Sequence, residues 1–315
     1  MCALVEQSVQ YVIDDRDHPG VRPIRYEASR SAAARMWALG AGLRRCLRRD
    51  RAFASRQVES GEQGTKTVLA FEGHVLECRR FLEMNPNDPN DWYRAPHKPG
   101  SGMVEMYWHQ AMWNVYQHPP IYQLYTEVYG THRIWVHIDR VNMKPPRHPD
   151  FPEWDHKGMY HWDADTSKLP IRFGTQGVLF LRDTADNQGS FVCWPGAHKS
   201  LIDKENPWVP ELAPDKFVQV PGKAGSLLIW HKALPHGNGH NTSDKPRLAQ
   251  YMNYYRTPDP MNEERRQERL TLWRERRALG RRPYPGDPRG WEAKNYGSPE
   301  LTPLGRKLLG LDLWE

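Results

Sequence analysis

From Ile134 the chain alternates in the way a strand does, with Ile134, Val136, Ile138, Arg140 and Asn142 falling on one face of an extended segment. Further extended segments are expected at 159–163, 174–183, 189–194, 226–230 and 247–255, divided by Gly, Pro and Asn turns. Short strands at this spacing predict a sandwich or barrel. The first third reads differently. Residues 26–49 carry Ala32, Met36, Trp37, Leu39, Leu43 and Leu47 at near-helical spacing, and residues 68–84 repeat the pattern with Leu69, Leu76 and Phe81 before the Pro86 to Pro89 breaker. Residues 108–128 predict two helices joined at His118-Pro119-Pro120, because proline ends a helix and restrains the residue before it. Residues 9–13 read as a short strand. After Pro258 come a charged helix to about Leu279, a Pro- and Gly-rich loop, and residues 301–311, whose leucines suit docking onto the body. The organisation expected is one domain over 1–315: a mostly helical part to 130, a β core over 131–256 and a helical extension over 257–315.

Composition narrows the class. At 315 residues the chain is long enough to bury a substantial core without staples. Four cysteines, Cys2, Cys46, Cys78 and Cys193, lie far apart with no Cys-x-x-Cys pair, which argues against a disulfide framework or zinc ribbon and for a reducing cytoplasm. No apolar run approaches the roughly 18 residues of a membrane span, and residues 1–10 lack a basic segment leading into an apolar one. The excess of 44 basic over 38 acidic residues favours anionic partners. It is concentrated in 44–56 and 263–282, and the second segment alternates Glu with Arg like a solvated helix face. Neither segment interleaves aromatics with its charges, so a nucleic-acid partner is not expected. Thirteen Trp and fourteen Tyr fill core and can line a pocket for a small organic molecule.

The stretch with the most chemistry is Tyr160-His-Trp-Asp-Ala-Asp165. A strand turns His161 and Asp163 to the same face. The spacing alone decides little: chance supplies roughly two His-x-acid pairs in this composition, and His137/Asp139 and His148/Asp150 share it. His236, in Leu234-Pro-His-Gly-Asn-Gly239, is the proposed third member. Two imidazoles and one carboxylate occupy one face of an octahedral iron and leave three positions open, as in non-haem Fe(II) oxygenases, whereas a closed zinc site needs a fourth ligand. Two open positions suit a 2-oxo acid and the third dioxygen. The far carboxylate of such an acid needs a cation, and Arg247, eleven residues after His236, opens the returning strand that can supply it. Two other readings stay open at this point: a zinc-dependent hydrolase using an activated water on the same three residues, and a small-molecule-binding module that kept the barrel and lost turnover. Trp113, in the aromatic-rich 108–125 segment, reads as core or as a residue closing over the site. His198 and His231 read as satisfied polar residues.

His161-Trp-Asp163, Gly177-Val-Leu-Phe-Leu, Gly189 through Pro195-Gly-Ala-His198, Gly225-Ser-Leu-Leu-Ile-Trp230, Pro235-His-Gly237 and Arg247 together resemble the phytanoyl-CoA dioxygenase family over roughly residues 134–256. The resemblance implies a mainly β fold with flanking helices, a double-stranded β-helix of the jelly-roll, cupin-like kind. It implies Fe(II), 2-oxoglutarate and dioxygen, with His161, Asp163 and His236 as metal ligands and Arg247 on the distal carboxylate. Arg140-Val-Asn-Met-Lys-Pro145 further resembles a strand of ectoine hydroxylases, which implies that Asn142 contacts 2-oxoglutarate and Arg140 contacts substrate. Asn238 stands where family members usually carry a Ser near 2-oxoglutarate. Gln176 and Trp113 complete the candidate substrate contacts. Related halogenases have Gly or Ala in place of Asp163, so the carboxylate implies hydroxylation of a C–H bond in a small molecule, with desaturation, ring closure and epoxidation as variants of the same chemistry.

Overall fold

The structure, a computed structural model, describes residues 10–12, 74–85, 88–165, 171–200 and 214–315. The helix expected over 26–49 lies outside the described residues. Of the helix expected over 68–84, residues 74–84 are described; 74–81 are helical, and the helix ends in a turn at 82–83, short of the expected end. Two helices follow, α1 (Gln110–Tyr116) and α2 (Pro119–Tyr129), with His118 at the N-cap position of the second, its side chain making no capping bond, and the two prolines as its first residues. That position suits proline, whose missing N–H is not needed in a first turn. α2 stops at Gly130, in the left-handed region at φ 63°.

Two antiparallel sheets make the β core. The larger runs β1–β9–β6–β11–β4–β2, formed by β1 (Gln10–Val12), β2 (Met103–Val104), β4 (Val141–Lys144), β6 (Thr175–Phe180), β9 (Leu227–His231) and β11 (Arg247–Tyr251), with only β1 parallel to its neighbour. The smaller runs β5–β10–β7–β8, from β5 (Met159–His161), β7 (Phe191–Cys193), β8 (Val218–Val220) and β10 (His236–Asn238). From β4 to β11 successive strands alternate between the two sheets except at β7 and β8, which pair with each other; this is the jelly-roll expectation, and helices cover the outside. Val178, Phe180, Phe191, Leu228 and Trp230 fill the space between the sheets, while α1, α2 and the C-terminal helices share a larger apolar core on the outer face.

The single strand expected over 134–142 is broken. β3 (Ile134–Val136) pairs with β12 (Tyr254–Arg256) in a separate two-stranded sheet, and β4 resumes at Val141 against β11. The cause is local: the Asp139 carboxylate accepts the Arg140 N–H at 2.8 Å and replaces a ladder bond, and the 247–255 strand breaks opposite it at Met252-Asn253. Every residue of β3 and β4 is buried, so the alternation in the sequence did not separate a wet face from a dry one. The short β2 and β8 went unread, since neither carries a period long enough to detect.

The charged helix of the extension, α4 (Glu263–Glu275), departs from a simply solvated face. Arg269 is 4% exposed, lies over Trp135, and donates to the Leu308 and Leu309 carbonyls at the end of α6 (Pro303–Leu309), where a helix leaves its carbonyls unpaired. Leu308 and Leu309 are fully buried, as their docking role requires. Between these helices the short α5 (Trp291–Asn295) places the buried Glu292 carboxylate against the Tyr107 and Trp108 N–H groups, at 2.8 and 2.7 Å. The α3 turn (Ala197–Ser200) follows β7. Among the described residues no helix is long and apolar enough to cross a membrane.

Candidate functional site

The candidate metal-binding set is assembled by strand register. β10 pairs antiparallel with β5 so that His236 stands opposite His161, with ring centres 4.5 Å apart. Their closeness depends on Gly237, because a Cβ there would meet the Met159 carbonyl oxygen at 1.7 Å and push the strands apart. β5 ends at His161, so Asp163 sits in a bend rather than on the strand, yet its carboxylate returns to the same place. Asp163 Oδ1 lies 3.4 Å from His161 Nε2 and Oδ2 lies 3.5 Å from His236 Nε2. Donor atoms of the three residues all fall within 4.8 Å of one another, and no other such group of three His, Cys, Asp or Glu occurs among the described residues.

The electrostatics fit a cation. His236 Nδ1 bonds the Leu234 carbonyl oxygen at 2.9 Å, which fixes the proton on Nδ1 and leaves the Nε2 lone pair aimed at the cluster. Burial works against the charge on Asp163, but the adjoining His161 and His236 rings, which favour the ionised carboxylate whenever they are protonated, outweigh it and hold the carboxyl far below its ordinary range. Gln176 Nε2 donates to Asp163 Oδ2, and Gln176 Oε1 accepts from Trp230 Nε1 at 3.0 Å. A carboxylate oriented in this way is what a metal ligand needs. Nitrogen and oxygen donors from three side chains, open on one side, suit Fe(II) better than a closed zinc site.

A second group lies on the larger sheet. Arg247, first residue of β11, is 1% exposed, and its Nη1 donates to Asn142 Oδ1 at 2.6 Å. Asn142 is itself fixed by donating to the Ser101 carbonyl at 2.8 Å. No carboxylate among the described residues pairs with the Arg247 guanidinium, and its Nε has no hydrogen-bond partner there. Burial lowers its pKa, with Tyr251 opposing. Directly opposite in register is Lys144, also 1% exposed, whose ammonium donates to the Gly239 carbonyl at 2.6 Å and lies 2.9 Å from His156 Nδ1. Burial and the Arg247 charge bring Lys144 down from 10.5 to about 7, with Asp155 opposing.

The remaining candidates separate. Gln176 touches a ligand, and Asn238 shares the His236 face of β10, two residues on. Arg140 has its guanidinium engaged by Glu105 and the Pro283 carbonyl. Trp113 is fully buried in the outer core, stacked on Trp108 and edge-on to Tyr116, so it lines no opening. His198 and His231 stack on each other. Lys144 was missed, although it lies two residues beyond Asn142 on the same strand face; the signal was present and was read as the start of a loop.

Residues 136–249 match the family model described as phytanoyl-CoA dioxygenase (PhyH). Over these residues the chain resembles a phytanoyl-CoA dioxygenase domain. The matched stretch begins in β3 and ends in β11, so it contains His161, Asp163, His236 and Arg247. A Dictyostelium discoideum protein assigned to the phytanoyl-CoA dioxygenases is 26% identical over 255 residues, covering 64% of this chain and 71% of that one. A Stutzerimonas stutzeri protein assigned as an alpha-ketoglutarate-dependent hypophosphite dioxygenase is 27% identical over 128 residues, 35% of this chain, and the chain spans 41% of its length. A solved structure of a hypothetical Escherichia coli protein shares the fold at TM-score 0.51 and 15% identity, covering 78% of this chain and 76% of that one. The dioxygenase domain, its barrel and its donor set put the chain among the Fe(II)/2-oxoglutarate-dependent oxygenases.

Proposed function

We propose that this protein hydroxylates a C–H bond of a small organic molecule, with His161, Asp163 and His236 holding Fe(II) and Arg247 receiving the distal carboxylate of 2-oxoglutarate. The observation that carries this reading is the pairing of a three-donor cluster with a buried guanidinium that lacks a carboxylate partner among the described residues. A buried cation without a counter-ion is costly, and a guanidinium matches a carboxylate bidentately, so a dicarboxylate co-substrate answers both needs. A zinc hydrolase would leave Arg247 unexplained.

Bound Fe(II) with 2-oxoglutarate and dioxygen supplies the oxidising power for C–H cleavage, with 2-oxoglutarate leaving as succinate and carbon dioxide. The chain's own part is placement. Asn142 orients the Arg247 guanidinium, and Lys144 adds positive potential beside it. Gln176, held by Trp230, keeps the Asp163 carboxylate in one orientation, and the Leu234 carbonyl keeps His236 in the tautomer that can ligate. The apolar residues between the sheets, Phe191 and Trp230 among them, pack against His236 and exclude water from its inner side.

The test is succinate formation by anaerobically loaded protein given Fe(II), 2-oxoglutarate and then air. Wild type should form succinate without added substrate at a low, uncoupled rate and show the Fe(II)-to-2-oxoglutarate charge-transfer band. A folded, iron-loaded protein with neither signal would overturn the reading.

A further inference from the structure

Lys144, the last residue of β4, starts on the sheet that carries Arg247 and ends on the segments that carry His161 and His236. Its Nζ donates to the Gly239 carbonyl at 2.6 Å, one residue past β10, and lies 2.9 Å from His156 Nδ1, in the segment that leads into β5. Register places it directly opposite Arg247. The side chain has no room to take another path: Lys144 is 1% exposed, and a Cβ on Gly189 would meet its Cδ at 3.3 Å. Arg247, by contrast, bonds Asn142 on its own sheet.

The two segments that Lys144 grips are also tied to each other and to the smaller sheet. The Asp155 carboxylate pairs with His240 Nε2, and the Gly158 N–H donates to His156 Nδ1 at 3.3 Å. Gly158 packs so closely on β10 that a Cβ there would meet the Asn238 carbonyl oxygen at 3.0 Å. The Gly239 N–H donates to the Ser190 carbonyl at 2.8 Å, beside β7. From the other direction Asn241 Nδ2 donates to the Lys144 carbonyl at 3.3 Å, and Asn241 stands in the loop that returns to Arg247. Lys144 therefore bonds the metal-binding sheet through its side chain and the return loop through its backbone.

We propose that Lys144 is a positioning residue of the oxygenase, a strut that sets the separation between the His161, Asp163 and His236 cluster and Arg247, and with it the length of the 2-oxo dicarboxylate that the site takes. The inference rests on the reading of those residues as the metal and co-substrate site. Such an acid has to reach from its 2-oxo end at the metal to its far carboxylate at the guanidinium. Its reach grows by one methylene from oxaloacetate to 2-oxoglutarate and by one more to 2-oxoadipate. Sheets free to shift would accept a methylene more or less, whereas sheets tied by a short buried hydrogen bond hold one span. A Lys144 that supplied charge alone would act equally on all three acids, because all three are dianions.

The test is an anaerobic titration of Fe(II)-loaded protein with oxaloacetate, 2-oxoglutarate and 2-oxoadipate, read by the charge-transfer band. Wild type should prefer 2-oxoglutarate to either neighbour by about tenfold or more, the usual cost of a misfitted methylene. Lys144→Met should weaken 2-oxoglutarate and bring the three acids to within about twofold of one another, as lost preorganisation does. His156→Leu removes one partner of Nζ and leaves the lysine charge; it should cut the preference by about threefold, and it serves if Lys144→Met does not fold. Hydrogen exchange of metal-free protein gives a second readout: Lys144→Met should speed exchange at 236–241 and leave 175–180 protected as in wild type. An unchanged preference in Lys144→Met, whether or not the three affinities fall together, overturns the inference. Absence of the band with every acid in iron-loaded wild type would instead overturn the site reading beneath it.

Discussion

The metal end and the cationic end of the site stand on different sheets and meet water differently. The His161 and Asp163 side chains keep 17% and 33% of their surface exposed, on short strands and a bend of the smaller sheet, while Arg247 and Lys144 are each 1% exposed within the larger one. The difference follows from what each end must admit. On the proposed reading, dioxygen and substrate would have to reach a metal held by His161, Asp163 and His236, so that end stays open and is held by register, a glycine contact and hydrogen bonds. The far carboxylate of the proposed co-substrate would need a dry, fixed partner, and a dry cation strains the folded chain until an anion arrives.

Breaking the open end should have the largest effect. His161→Ala or Asp163→Ala removes one of only three donors, and both should reduce Fe(II) retention and succinate formation to background while the thermal unfolding midpoint stays near wild type. Breaking the closed end should split affinity from stability. Arg247→Met should weaken 2-oxoglutarate roughly 100-fold, as loss of one partner of a buried charge pair does, measured by the charge-transfer titration. The same variant without ligand should be as stable as wild type or more so, because an unmatched buried charge has gone. Saturating 2-oxoglutarate should raise the unfolding midpoint of wild type and not of Arg247→Met. Equal stabilisation of both proteins would show that the guanidinium is not the receptor.

A smaller effect should sharpen the open end. Gln176→Leu leaves all three ligands in place but frees the Asp163 carboxylate to rotate, so Fe(II) affinity should fall roughly tenfold. An unchanged metal affinity would assign Gln176 to another role.

The same contrast governs how much of the molecule could be read from its sequence. His161, Asp163, His236 and Arg247 could be picked out as candidates because ligand chemistry asks for particular residue types in a fixed order, which can be read without knowledge of the register, and the structure brings the first three together. The barrel strands were legible where apolar runs lay between Gly and Pro turns, as at Gly177 to Phe180. The break between β3 and β4 was not, because it depends on the Asp139 carboxylate competing for a backbone N–H, which alternation does not encode. Trp113 was ambiguous for a related reason: an aromatic at helical spacing looks alike whether it faces core or cavity, and here it faces core. Arg269 looked like a surface charge in a Glu–Arg run, and only the fold brings the end of α6 to its guanidinium. The contacts of Tyr284 gave no signal, since they come from a return across more than 100 residues to Asp139 and Arg140.

The smallest predicted effect separates the two buried cations. Lys144 falls from 10.5 to about 7 on folding, through burial and the neighbouring Arg247 charge. Between those two values the unfolded chain binds the proton more than the folded chain does, so this group makes stability rise with pH from about 7 toward 10.5, and below about 7 its destabilising contribution is full and constant. Lys144→Met should remove that part of the slope, read as the difference between wild-type and variant urea-unfolding free energies at several pH values. Bound 2-oxoglutarate places a carboxylate by Arg247 and should lift the Lys144 pKa, flattening the wild-type slope toward that of the variant. A slope that survives Lys144→Met unchanged would mean that Lys144 keeps its charge through the Gly239 carbonyl and Asp155, and that Arg247 alone defines the cationic end.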